Sequence, residues 1–167
     1  LSKISRYFAF GKAIRYDIFK FAINFSKEKK LFCRRVYYYT APPYQNQIPT
    51  SEQNEKKKKY DKFVNKLIKI KNFIVREGRC QKTCEGYQQK GVDTLITMDL
   101  LTISDKNETK NFIVLACDTD FVPILKHIRK ENKTKIILAY FFDFKRKSEF
   151  SMSNHILTAC DDKIKVQ

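Results

Sequence analysis

The sequence predicts one three-layer α/β domain built on a mostly parallel central sheet, and three observations carry that prediction. Short apolar runs of strand character alternate with stretches of helical periodicity along the chain, an order that calls for crossover helices. The run Phe112-Ile113-Val114-Leu115-Ala116-Cys117 is apolar without a break, the pattern of a parallel strand covered on both faces. A length of 167 residues suits one ordinary domain and leaves no room for a second.

Taken in order, residues 4–25 carry apolar side chains at helical spacing, with Ile14, Ile18, Phe19, Ala22 and Ile23 on one side and an interruption near Gly11. Residues 34–40 have strand propensity and end at Pro42-Pro43. A polar loop follows, its end merging into a helix on which Tyr60, Phe63, Val64, Leu67 and Ile68 form one apolar stripe. Residues 73–76 make a short strand, and the polar stretch 77–89 reads as a surface excursion. Residues 92–103 form a helix that is apolar around much of its circumference. After the strand at 112–117 come a helix through Ile128, a strand over 135–140, a basic loop over 143–151, a short helix over 154–158 and a last strand over 164–166.

Composition narrows the partner. The chain has 34 basic and 18 acidic residues, a formal charge of +16 that favours a polyanion and a salt-sensitive encounter. No apolar stretch approaches the length of a membrane span, so no membrane association is expected, and the charged N-terminal residues do not make a signal peptide. The five cysteines form no dense framework and suit a reducing, cytoplasmic setting. Cys80 and Cys84 are a lone pair with an unsuitable spacing for zinc. Lys57 and Lys58, in the run Lys56-Lys57-Lys58-Lys59, form either a solvated helix face or a rim that attracts phosphates.

The chemistry is concentrated in aspartates. Asp118 and Asp120 directly follow the apolar strand at 112–117, and open α/β sheets bind ligands beyond the carboxyl ends of their strands. Each serves either as a metal ligand or as a cap for the helix that follows. Asp93 opens the helix at 92–103, again as ligand or as cap, and Asp161 near the C-terminus is expected to join the same edge as a supporting group. Asp99 lies in an apolar stretch and is expected to meet a cation or a backbone donor. Clustered carboxylates repel one another unless a hard cation such as Mg²⁺ or Mn²⁺ sits among them, where it can activate water against a phosphodiester. His127 reads as an ordinary helix residue, whereas His155, beside Ser153 and Asn154, is a candidate substrate contact.

Three strings occur in a distinctive order: Lys90-Gly91-Val92-Asp93-Thr94-Leu95-Ile96-Thr97-Met98-Asp99, then Val114-Leu115-Ala116-Cys117-Asp118-Thr119-Asp120-Phe121-Val122-Pro123-Ile124-Leu125, then Cys160-Asp161. Together they resemble the NYN domain family, including its LabA-like group, within the PIN-like superfamily. The resemblance spans residues 36–166. It implies a single Rossmann-like PIN/NYN domain over residues 1–167, a carboxylate-held Mg²⁺ or Mn²⁺, and endoribonuclease activity on RNA. Asp93 and Asp118 match the catalytic acidic positions, Asp93, Asp118 and Asp120 the metal positions, and Asp99 and Asp161 the supporting acids. Lys90, Ser153, Asn154, Lys57 and Lys58 are the expected nucleic-acid contacts. The usual opening strand that ends in an Asp does not precede Leu1, so the sequence is expected to be a fragment that begins just past it. A nucleic-acid-binding module with a degraded site is the alternative, and a homodimer through apolar helix faces is a further expectation.

Overall fold

The computed structural model describes residues 17–141 and 153–166. In chain order the elements are α1 (Ile18–Glu28), β1 (Val36–Thr40), α2 (Ser51–Leu67), β2 (Phe73–Glu77), β3 (Arg79–Thr83), β4 (Gly86–Lys90), α3 (Val92–Asp105), β5 (Asn111–Leu115), a 3-10 turn (Thr119–Phe121), α4 (Val122–Asn132), β6 (Lys135–Phe141), α5 (Asn154–Thr158) and β7 (Asp162–Val166). The chain forms two compact units, a terminal unit of Leu1–Phe32 with Leu101–Gln167 and a mid-chain unit of Cys33–Leu100. The expected helices over residues 4–16 and the expected loop over 143–151 lie outside the described residues.

The mixed α/β class with parallel pairing holds. In the terminal unit β5, β6 and β7 form a three-stranded parallel sheet with β6 in the middle. The deepest strand is therefore β6 and not the one at 112–117: Ile136, Ile137, Leu138 and Ala139 are all essentially buried, whereas β5 is only half-buried throughout. The reason is position, since β6 has a strand on either side and β5 pairs with one among the described residues. Side chains alternate across a strand, so Ile137 and Ala139 share one face and Ile136 and Leu138 the other. Ile164 and Val166 of β7 extend the first face, which Phe21 and Phe25 of α1 cover, and α4 packs against β6 with Leu125 and Ile128 fully buried. Asp17 starts α1 by accepting from the amides of Phe19 and Lys20, both at 3.0 Å.

In the mid-chain unit β1 and β2 pair in parallel, with Tyr38 opposite Val75. Tyr38 meets Phe63 of α2 edge-on at 6.0 Å and tilts over Phe73 at 6.3 Å, so the aromatic residues of β1, α2 and β2 build the local core. Helix α2 starts at Ser51, earlier than its apolar stripe suggests, because Thr50 and Gln53 close a reciprocal capping box. The stretch 77–89 is a correction to the sequence reading. It is an antiparallel hairpin, β3 against β4, closed by a hydrogen bond from the Thr83 hydroxyl to the Gly86 carbonyl at 3.1 Å. Gly86 has φ +124°, a conformation that L side chains rarely adopt. Polar residues dominate the hairpin, so it lacks the one-sided apolar alternation that announces a strand.

Candidate functional site

Asp118 stands three residues beyond Leu115, at the carboxyl end of β5. Its backbone is still extended, and its side chain turns back to accept the Asp120 amide at 2.9 Å, which starts the 3-10 turn. That bond uses one carboxylate oxygen. The rest of Asp118 and the whole of Asp120 are exposed, and neither carries an ion pair among the described residues. Capping and ligand binding are thus compatible in Asp118. Phe121, only 4% exposed, pins the turn from below, and Pro123 sits in the first turn of α4, where its missing N–H costs nothing. Helix α5 packs beside the same turn. Behind it, burial and the nearby Asp118 push the Cys117 thiol above its ordinary pKa.

Asp161 does not share this edge, and its expected place there is corrected. It immediately precedes β7, and in a parallel sheet the residue before a strand lies at the amino end. One carboxylate oxygen accepts the amide of Ile136, at the start of β6, at 2.8 Å. The other is held by Arg129 at 2.9 Å from Nε, and the same arginine reaches the Thr158 carbonyl at 3.3 Å. A five-residue strand spans about 16 Å, which is the order of the gap between Asp161 and the Asp118 end of the sheet. Asp161 fastens α4, α5 and β6 together.

Asp99 has a similar duty in the mid-chain unit. Arg76 of β2 grips it with two bonds, 2.9 Å from Nε and 3.1 Å from the terminal nitrogen, and the Tyr39 hydroxyl donates to it at 3.1 Å. Asp99 is 15% exposed, so the expected cation is present where a buried carboxylate requires one. Burial, and then the Asp99 charge, push the Tyr39 hydroxyl well above the usual tyrosine range.

Asp93 is different. It lies exposed in the first turn of α3 with no ion pair or side-chain hydrogen bond among the described residues. Two glycines set its position. Gly91 has φ +79°, and a Cβ on Gly78 would stand 2.5 Å from the Lys90 carbonyl oxygen and 2.9 Å from Val92. Gly78 in turn donates its amide to Thr40 at 2.9 Å, so Lys90-Gly91-Val92 runs close against the carboxyl ends of β1 and β2. Gly78 escaped the sequence reading, because only the backbone approach reveals its role.

Of the expected nucleic-acid contacts, Lys57 is already engaged, paired with Asp61 and lying over the Tyr60 ring. Lys58 and Lys90 are exposed. Ser153 caps α5 by accepting the His155 amide at 3.2 Å, and Asn154 and His155 are exposed at the start of that helix. The crossover from β6 to β7 begins at the carboxyl edge, so Ser153 and Asn154 come before the chain descends to Asp161.

Asp118 and Asp120 together make an oxygen-only donor pair, the chemistry that Mg²⁺ and Mn²⁺ prefer. Among the described residues no three His, Cys, Asp or Glu side chains form a group that could hold a metal ion. Mg²⁺, however, keeps several waters and is commonly held by one or two carboxylates, so the pair fits a hydrated ion.

Comparison with known proteins bears on this arrangement. No curated protein sequence matches the chain. A crystal structure of a protein of unknown function from Vibrio parahaemolyticus is similar, with 15% identity and a TM-score of 0.49 over 77% of this chain and 66% of that one. This chain therefore spans just under two thirds of that protein's length. The family model for the NYN domain matches residues 5–167, nearly the whole sequence. The chain belongs to the NYN domain family, a branch of the PIN-like nuclease superfamily.

Proposed function

We propose that the protein is a metal-dependent endoribonuclease whose reacting site is built on the exposed aspartates Asp118 and Asp120, and that Asp93, the exposed acid of the mid-chain unit, also serves catalysis. Membership of a nuclease superfamily supports the reaction class, and PIN-like nucleases generally use divalent metal ions. The observation that carries the assignment to residues is the state of the Asp118 carboxylate: fixed by one backbone amide, exposed, and not neutralised by any described cation.

Each residue has a part that its geometry allows. Asp118, oriented by the Asp120 amide, holds a defined direction without rotamer search, and Asp120 adds a second charge in the same turn. Asp93 is held at the strand ends of its own unit by Gly78 and Gly91, and it offers that unit's exposed carboxylate to the chemistry. Mg²⁺ or Mn²⁺, when bound, neutralises phosphate charge and lowers the pKa of attacking water. Lys90 and Lys58 attract the phosphate backbone, while Ser153 and Asn154 offer polar contacts at the start of α5. A cytoplasmic site of action agrees with five cysteines that are all free thiols. Among the described residues no helix is long and apolar enough to cross a membrane.

The second reading is a nucleic-acid-binding module without turnover, favoured by the lack of a three-ligand group among the described residues. The two separate in one assay. End-labelled RNA incubated with Mn²⁺, Mg²⁺ or EDTA should yield internal cuts only with metal. Binding without cuts in any metal would leave the module reading in place.

A further inference from the structure

The lysines of α2 and of the turn after it fall into two sets. Lys56, Lys57 and Lys59 each face a carboxylate of the same helix, Glu52, Asp61 and Glu55 respectively. Lys58, Lys62, Lys66 and Lys69 are exposed and have no carboxylate partner among the described residues. Lys58, Lys62 and Lys66, four residues apart, lie within about a quarter of the helix circumference in steps of roughly 6 Å, and Lys69 follows in the turn just past the helix end at Leu67. Charges at such intervals along one line are the natural complement of successive phosphates on an extended strand.

These lysines line an open groove of about 670 Å³ together with Gln45, Asn54, Asn65 and the mutually paired Lys57 and Asp61. Next to Gln45 in sequence, Tyr44 stacks at a tilt on Tyr87 of β4, their ring centroids 5.3 Å apart. Tyr87 is 62% exposed, an unusual condition for a large aromatic side chain on a hairpin. A row of unneutralised cations beside an exposed aromatic platform is the combination used to hold single strands, phosphates on the lysines and an unpaired base on the ring. Paired bases in a duplex have no free face to offer Tyr87.

We propose that the α2 groove and the Tyr44–Tyr87 pair form a docking surface for single-stranded RNA, with Lys58, Lys62, Lys66 and Lys69 on the backbone and Tyr87 under a base. This rests on the reading of the protein as RNA-directed, and it names a surface apart from the acidic residues. The fit is to an extended polyanion, since an open groove encloses no small molecule.

The test is fluorescence anisotropy of the full chain with a labelled single-stranded RNA oligonucleotide, in EDTA so that no cutting intervenes, across a salt series. Replacing all four lysines with glutamine should weaken binding roughly tenfold or more and flatten the slope of log affinity against log salt by about three. Tyr87→Leu should weaken it about tenfold with the salt slope unchanged, and Tyr87→Phe should restore it. Circular dichroism checks that each variant folds. Undiminished binding by the glutamine variant, equal affinity for polyglutamate, or a Tyr87→Phe loss as large as that of Tyr87→Leu would overturn the proposal. Lysine-dependent binding by a wild-type chain that never cuts RNA would support this surface while sinking the nuclease reading. Cutting with lysine-independent binding would do the reverse.

Discussion

Asp161 and Asp118 belong to the same three-stranded unit, and their surroundings differ at every point. Asp161, at the amino end of the sheet, spends both oxygens on Arg129 and the Ile136 amide. Asp118, beyond the carboxyl end of β5, spends one on a neighbouring amide and meets no cation among the described residues. Asp99 repeats the first pattern in the mid-chain unit with Arg76 and Tyr39, and Asp93 shares with Asp118 only its exposure and the lack of a cation among the described residues. Carboxylates that hold the fold come with an arginine already supplied. Those at carboxyl strand ends keep charge in reserve, a state that favours a cation from solution.

That contrast is easiest to break with single substitutions. Asp118→Asn should lower the rate of metal-dependent RNA cleavage by roughly 1000-fold, because it removes a charged ligand. Its melting temperature should hold, since asparagine caps a helical turn as well as aspartate does. Asp161→Ala should destabilise the protein by about 2 kcal/mol in urea titration, as it strands Arg129 and leaves the Ile136 amide without its acceptor. Gly78→Ala should cost about 1–2 kcal/mol by the same measurement, because a methyl 2.5 Å from the Lys90 carbonyl forces the start of α3 outward. Loss of cleavage in this variant beyond its loss of folded protein would locate Asp93 in the site.

The smallest effect is at alkaline pH. Burial pushes the Cys160 thiol up to about 11 and raises Cys117 as well. A group whose folded pKa is raised contributes stability that is complete below its unfolded value and is lost as pH climbs through the folded one. Stability should therefore decline gently between pH 9 and 11. Iodoacetamide at pH 8.5, about the ordinary thiol pKa, should modify exposed Cys84 well before Cys160, as read by mass spectrometry. Equal labelling of the two would contradict the burial of Cys160.

Much of this was readable in residue patterns. The apolar run before Asp118 announced both a strand and the edge to which it delivers a carboxylate, and the alternation of strand and helix around it gave the class. Direction along the chain carries information as well: an aspartate just before a parallel strand, as Asp161 is, stands at the opposite end from one just after it. That signal was present. The Thr50–Gln53 capping box was also present in the letters, three residues apart, and marks the true start of α2. Other features were not legible. Arg76 is 23 residues from Asp99, so their pairing exists only once β2 and α3 are folded together. The hairpin β3–β4 is too polar to show a period, and the duty of Gly78 exists only where two backbones meet.

The most direct test sets Asp118→Asn beside Asp161→Asn, each assayed for RNA cleavage in Mn²⁺ and melted in the same buffer. Asp118→Asn should lose cleavage and keep its melting temperature, and Asp161→Asn should melt earlier while its remaining folded protein still cuts. Wild-type cleavage by Asp118→Asn, or abolished cleavage in an Asp161→Asn that melts normally, would contradict the division of the aspartates into those that hold the fold and those that act.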